Sequence, residues 1–123
     1  MDPLTPMLAV HECGEALDFY SRAFGATEEG ERHEFKGKIG HARFRAFGAE
    51  LMIADEFPPE NTSPKSLGGT TVILHVEVDD VDAKTERAKA AGAEVIREPT
   101  NYPYGRISKI RDPYGHVWML NQR

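Results

Sequence analysis

Ala23-Phe24-Gly25-Ala26 and Ala90-Ala91-Gly92-Ala93 are one short phrase written twice in this chain. Phe47-Gly48-Ala49-Glu50-Leu51-Met52 recurs, more faintly, as Tyr114-Gly115-His116-Val117-Trp118-Met119. The glycines of both pairs, Gly25 with Gly92 and Gly48 with Gly115, are 67 residues apart. One such pair would mean little, but two at one spacing, with apolar neighbours in step, mark an internal duplication. Two copies are too few for a solenoid. The chain therefore reads as one supersecondary unit copied once, its halves packed into a single fold. Each site position in one half has a counterpart in the other.

Working outward, each half reads strand, helix, then further strands. Leu4 to Val10 is a short apolar run bounded by prolines. From Gly14 to Phe24 the spacing turns helical, with Ala16, Leu17, Tyr20, Ala23 and Phe24 on one stripe. Gly25 follows, where a left-handed cap wants no side chain. Thr27 to Ala46 reads as a hairpin turning at Lys36-Gly37-Lys38, and Glu50 to Ala54 as the next strand. In the second half Thr71 to Val78 is rich in β-branched residues. Asp79 and Asp80 are N-cap candidates for a helix carrying Val81, Thr85 and Ala88 on its inner stripe. Glu94 to Arg97, Arg106 to Arg111 and His116 to Asn121 follow as strands, broken by Pro99 and Pro103 and by the turn Asp112-Pro113-Tyr114-Gly115. The pattern is βαβββ twice: module one over about 1–56, a linker over about 57–69 rich in Pro and Gly, and module two over about 70–123. A linker this long for a compact domain could double as a lid. The expected fold class is α+β, an eight-stranded concave sheet with helices on the outer face.

Composition narrows the partners. The 123 residues suffice for one domain, and a net charge of −5 argues against nucleic acid, which needs a basic face. There is no apolar run of membrane-spanning length and no leader-like N-terminus. The single cysteine, Cys13, rules out an intrachain disulfide and suits a reducing compartment, so a cytoplasmic location is expected.

The chain resembles the vicinal oxygen chelate superfamily, which includes glyoxalase I, bleomycin-resistance proteins and extradiol dioxygenases. The resemblance is carried by Leu17-Asp18-Phe19-Tyr20 with the Ala23-Phe24-Gly25-Ala26 phrase, by His75-Val76-Glu77-Val78-Asp79-Asp80-Val81, and by Arg111-Asp112-Pro113-Tyr114-Gly115-His116-Val117-Trp118. Met52 to Pro58 and Pro64 to Gly69 look most like its PhnB-like branch. The resemblance implies a divalent metal held from Thr5, Met52, Ile73 and Met119. None of these offers a hard-metal donor, because a thioether prefers soft copper and Ile73 has no donor at all. No metal or other cofactor is therefore expected.

Strand alternation sorts the faces. Val72, Leu74, Val76, Val78, Leu51, Ile53, Trp118 and Leu120 are expected to pack on the helices. Met7, Met52 and Met119 floor the opposite, cup-like face, joined there by Ile73, His75, Glu77, Glu50, His41, Arg43 and Asn121. Met7, Met52 and Met119 make a soft, adaptable floor. His41 and Arg43 give a basic wall suited to an anion, or a solvated edge. His75 is the best catalytic candidate, able to bind a ligand or move a proton, or else simply satisfied by Glu77 or a partner chain. Cys13 has no visible base beside it. Tyr102, Tyr104 and Arg106 lie in a loop that could close over a ligand or be a surface turn.

The expectation is a homodimer binding a small organic molecule, an anion with an apolar body, through Met7, His41, Arg43, Met52, His75 and Met119. The alternatives are an enzyme with a displaced metal site built from His75, Glu50 and His41, and a metal-free acid–base enzyme centred on His75.

Overall fold

The computed structural model describes residues 2–123. Its first half comprises β1 (Met7–Val10), α1 (Cys13–Phe24), β2 (Thr27–Phe35), β3 (Lys38–Ala46) and β4 (Ala49–Asp55). A short helix, α2 (Pro64–Leu67), follows. The second half comprises β5 (Ile73–Glu77), α3 (Val81–Ala91), β6 (Glu94–Tyr102), β7 (Gly105–Arg111) and β8 (Val117–Gln122). The βαβββ repetition read from the duplicated phrases is present. The eight strands form two four-stranded sheets of identical topology, β1-β4-β3-β2 and β5-β8-β7-β6, which are not hydrogen-bonded to each other. In each, the first strand lies parallel to the last and the rest are antiparallel.

Local chemistry explains the helices. Gly25 ends α1 at φ +68, a left-handed conformation that costs glycine nothing, and its N–H reaches the Ser21 carbonyl at 3.0 Å. Asp80 caps α3 by accepting from the Ala83 N–H at 3.1 Å. Inside α3, Thr85 donates to the Val81 carbonyl at 2.6 Å and lies 2.7 Å from the Ser108 hydroxyl, so a polar residue is buried with its needs met. Where α1 and α3 pack, Arg87 donates to the Arg22 carbonyl at 2.7 Å, and Arg22 to the Ala91 carbonyl at 3.2 Å.

One core serves both halves. Tyr20 of α1 stacks on Phe44 of β3, with centroids 5.1 Å apart, and lies 5.8 Å from Trp118 of β8. Phe24 sits between Phe47 at 5.0 Å and Trp118 at 4.8 Å. Beneath them Asp112, only 3% exposed, is fully satisfied. Its Oδ1 accepts from the backbone of Tyr114 and His116, and its Oδ2 from the Tyr20 hydroxyl at 2.6 Å and the Trp118 indole at 2.9 Å. A carboxylate of the second half thus anchors a helix of the first. His116 Nε2, 2.9 Å from the Ala9 carbonyl, adds a further tie between the turn before β8 and β1.

Two expectations change in detail. Strand β6 continues past Pro99 to Tyr102 because it is an edge strand, where a missing N–H is tolerated; register shifts on either side of Arg97 absorb the misfit. Tyr102 and Tyr104 therefore belong to a tight hairpin, stacked at 5.5 Å, and not to an open loop. The linker also has structure of its own. Glu56 accepts from the Ser63 N–H and the Ser66 hydroxyl, both at 2.9 Å, and the first of these bonds chiefly holds its carboxyl below the usual range. Pro64 is buried against Gly115. The segment is held at Glu56 and at Pro64, and its remaining residues, exposed from Lys65 to Val72, line part of a groove described below.

Candidate functional site

Helices cover one face of each sheet and leave the other open. Cross-strand register defines a central row on each open face. In the first sheet the row is Met7, Met52, Arg43 and Glu29; in the second it is His75, Met119, Lys109 and Arg97. The rows occupy equivalent places, Met7 matching His75, Met52 matching Met119 and Arg43 matching Lys109. Met7 is 48% and Ile73 45% exposed, while Met52 and Met119 are half-buried between their neighbours.

The other candidates fall as follows. His41 lies directly across from His33, with rings 6.0 Å apart, one position along from Arg43 on the same face. Arg43 donates to Glu50 at 2.7 Å, and Arg45 pairs with Glu29 at 3.4 Å, so both guanidiniums of the first face are neutralised. His75 is exposed and lies 3.4 Å from Asn121 Nδ2; Glu77, its neighbour on this face, pairs instead with Arg123 at 2.9 Å. The displaced trio of His75, Glu50 and His41 is divided between the two sheets. Among the described residues no three His, Cys, Asp or Glu side chains converge. At the slots implied for a metal stand a hydroxyl, an aliphatic chain and two thioethers. That donor set does not fit a hard divalent cation, and no chemical step is derived through one.

Two cavities run along free strand edges, shown by consecutive lining residues that alternate in face. A groove of about 860 Å³ follows β1 and the start of β5, lined by Met7, Leu8, Ala9, Leu67, Val72 and Leu74. A smaller one of about 290 Å³ lies by β5, with Leu74 and Trp118 among its apolar lining and His75 and Glu77 as its charged or titratable groups. Sequence reasoning missed Lys109 and Arg97, since a lysine or arginine in a strand reads as ordinary solvated surface. The signal that would have found Lys109 is its equivalence to Arg43.

Cys13 is not a nucleophile. It is 1% exposed, and burial, reinforced by nearby Asp55, pushes its thiol up to about 12. In the unfolded chain the thiol ionises near 9. Its contribution to stability is thus complete below pH 9 and is lost as pH rises from 9 through about 12. Native protein at pH 8 is expected to resist a thiol-reactive disulfide reagent that labels it fully in urea; rapid labelling of the native state would refute this.

The fold and its two open faces define an α+β protein of duplicated βαβββ modules. A family model, described as the Glyoxalase/Bleomycin resistance protein/Dioxygenase superfamily, matches residues 3–120, and the chain belongs to that superfamily. An uncharacterized protein of Mycobacterium tuberculosis is 41% identical over 97% of this chain and 73% of its own length. The crystal structure of TioX from Micromonospora sp. ML1 superposes with a TM-score of 0.75 at 29% identity, covering 99% of this chain and 96% of that one. A glyoxalase-related enzyme from Fulvimarina pelagi superposes with a TM-score of 0.76 at 18% identity over 100% of this chain and 89% of its own, a likeness of fold.

Proposed function

We propose that the protein binds a small organic molecule on the open faces of its sheets, without a resident metal, and does so as a homodimer. The observation that carries the reading is the pair of methionine-bearing rows left uncovered by either helix. Met7 and Met52 on one sheet and Met119 on the other present polarizable, flexible surface that adapts to varied ligands, with His41 and His75 as polar neighbours. The PhnB-like character of the linker phrases, and a cytoplasmic location suited to a buried free thiol, accompany this reading.

The dimer is supported by the edges. Strands β1 and β5 each have a partner on one side only, and the surface around them exposes Leu4 at 88%, Leu67 at 70% and Val72 at 61%. Free edges flanked by apolar side chains invite pairing, and a second copy covers them at the least cost in new surface. Light scattering at micromolar concentration is expected to give twice the 13.7 kDa monomer mass; a monomer would overturn this part. For the ligand, a fragment screen read by isotope-labelled methionine methyl signals is expected to move Met7, Met52 and Met119. Fragments that shift only resonances distant from these rows would defeat the reading.

His75 gives a second reading some support, because it is exposed and flanks a cavity. Acid–base catalysis at this position would show as a bell-shaped or single-step pH profile lost in His75→Gln with binding retained.

A further inference from the structure

The duplication supplies an internal control for electrostatics, since the same row is built twice with different charges. In the first copy the cation Arg43 stands across from Glu29 and is held by Glu50 at 2.7 Å. In the second copy Lys109 stands across from Arg97, another cation. The position matching Glu50 is Val117, so the carboxylate that neutralises the first row has no counterpart. Two carboxylates near this pair are already engaged, Glu94 with Arg111 at 2.9 Å and Glu77 with Arg123 at 2.9 Å, and Glu98, next to Arg97 on β6, makes no ion pair with it. No ion pair among the described residues involves Arg97, Lys109 or His75. Lys109 is half-buried, which makes its missing counter-ion more costly, and Arg97 is steadied over the Tyr102 ring at 5.9 Å.

Like charges directly across a strand pair repel and destabilise the sheet. A chain with a net charge of −5 has carboxylates to spare, yet none reaches this pair. We infer that Lys109 and Arg97, beside Met119 and His75, form an anion-binding site of the second module, which receives the carboxylate, sulfonate or phosphate of an organic ligand whose apolar body lies on Met119. The assignment rests on the small-molecule reading above and deepens it. The charge-bearing wall is Lys109 with Arg97, and Arg43, already neutralised, is not part of it. An anion placed between two cations removes their repulsion and gains charge-assisted hydrogen bonds from both.

Two fluorescent probes test this, anilinonaphthalene sulfonate as the anion with an apolar body and neutral N-phenylnaphthylamine as its uncharged relative. Lys109→Met is expected to weaken the sulfonate by at least about tenfold while leaving the neutral probe within about twofold. Lys109→Arg keeps the charge and is expected to restore most of the sulfonate affinity, and Lys89→Met, on the outer helix, to change neither probe. Added salt is expected to weaken the sulfonate in wild type and much less in Lys109→Met. Circular dichroism confirms that each variant is folded. The assignment is overturned if the sulfonate binds Lys109→Met as it binds wild type, or if Arg43→Met loses as much as Lys109→Met. Failure of both probes to bind wild type removes the small-molecule reading and this site together. Binding of both probes with indifference to Lys109 removes the anion site alone.

Discussion

Asp112→Ala is expected to lower the free energy of unfolding by about 3–5 kcal/mol, the usual cost of removing one member of a buried, charged hydrogen-bond network. The carboxylate serves four donors at once, two backbone N–H groups of its own turn, the Tyr20 hydroxyl and the Trp118 indole. All four lose their acceptor where water does not easily replace it. A domain of this size holds only about 5–15 kcal/mol in total, so the variant loses a large share of its stability. Tyr20→Phe removes one donor and leaves the carboxylate three others, and should cost about 1.5–3 kcal/mol. Burial and the adjacent Asp112 charge both push the Tyr20 hydroxyl well above its ordinary value, so it stays a donor at any pH of interest. Urea unfolding followed by Trp118 fluorescence measures both variants. An unfolding free energy for Asp112→Ala within about 1 kcal/mol of wild type would show that the network is not the anchor of the fold.

Gly105→Val is expected to cost about 2–4 kcal/mol, combining backbone strain with a steric clash. Gly105 opens β7 at φ +146, which side chains rarely adopt. A Cβ there would collide with the buried Asn121 amide and lie 3.1 Å from the Gln122 carbonyl. Asn121 is 4% exposed and contacts His75, so the displacement should also shift the His75 ring resonances in the folded fraction. A variant as stable as wild type, with unmoved His75 signals, would mean that the β6–β7 hairpin has slack that the packing does not suggest.

The duplicated glycine phrases made the architecture legible because they mark helix ends and turns, where backbone geometry restricts the choice of residue. Alternation along Leu74 to Val78 placed His75 on the open face for the same kind of reason: a strand has two sides, and the apolar one goes in; Val72, outside the strand, is exposed instead. Pro99 misled, because the rule against proline in strands weakens at an edge, and edges are decided by the order of strands in the sheet. The short helix at Pro64 was unreadable, being too brief for any periodicity. The candidate site was legible as a set of faces but not as a set of pairs. That Arg43 meets Glu50, and that Lys109 faces Arg97 across a shifted ladder, depends on register. Register follows from turn lengths and bulges, such as those on either side of Arg97, which the sequence does not announce.

The reach of Tyr20 to Asp112, across 92 residues of chain, also sets an order of events during synthesis. The first module leaves the ribosome with strands and helix available but with the Tyr20, Phe24 and Phe44 face still bare, since Trp118 belongs to the second module. Closing so long a loop is entropically expensive, and the contact that rewards it arrives last. A nascent chain therefore carries an exposed aromatic surface until β8 emerges, and its dependence on chaperones should be greatest just before that strand is made.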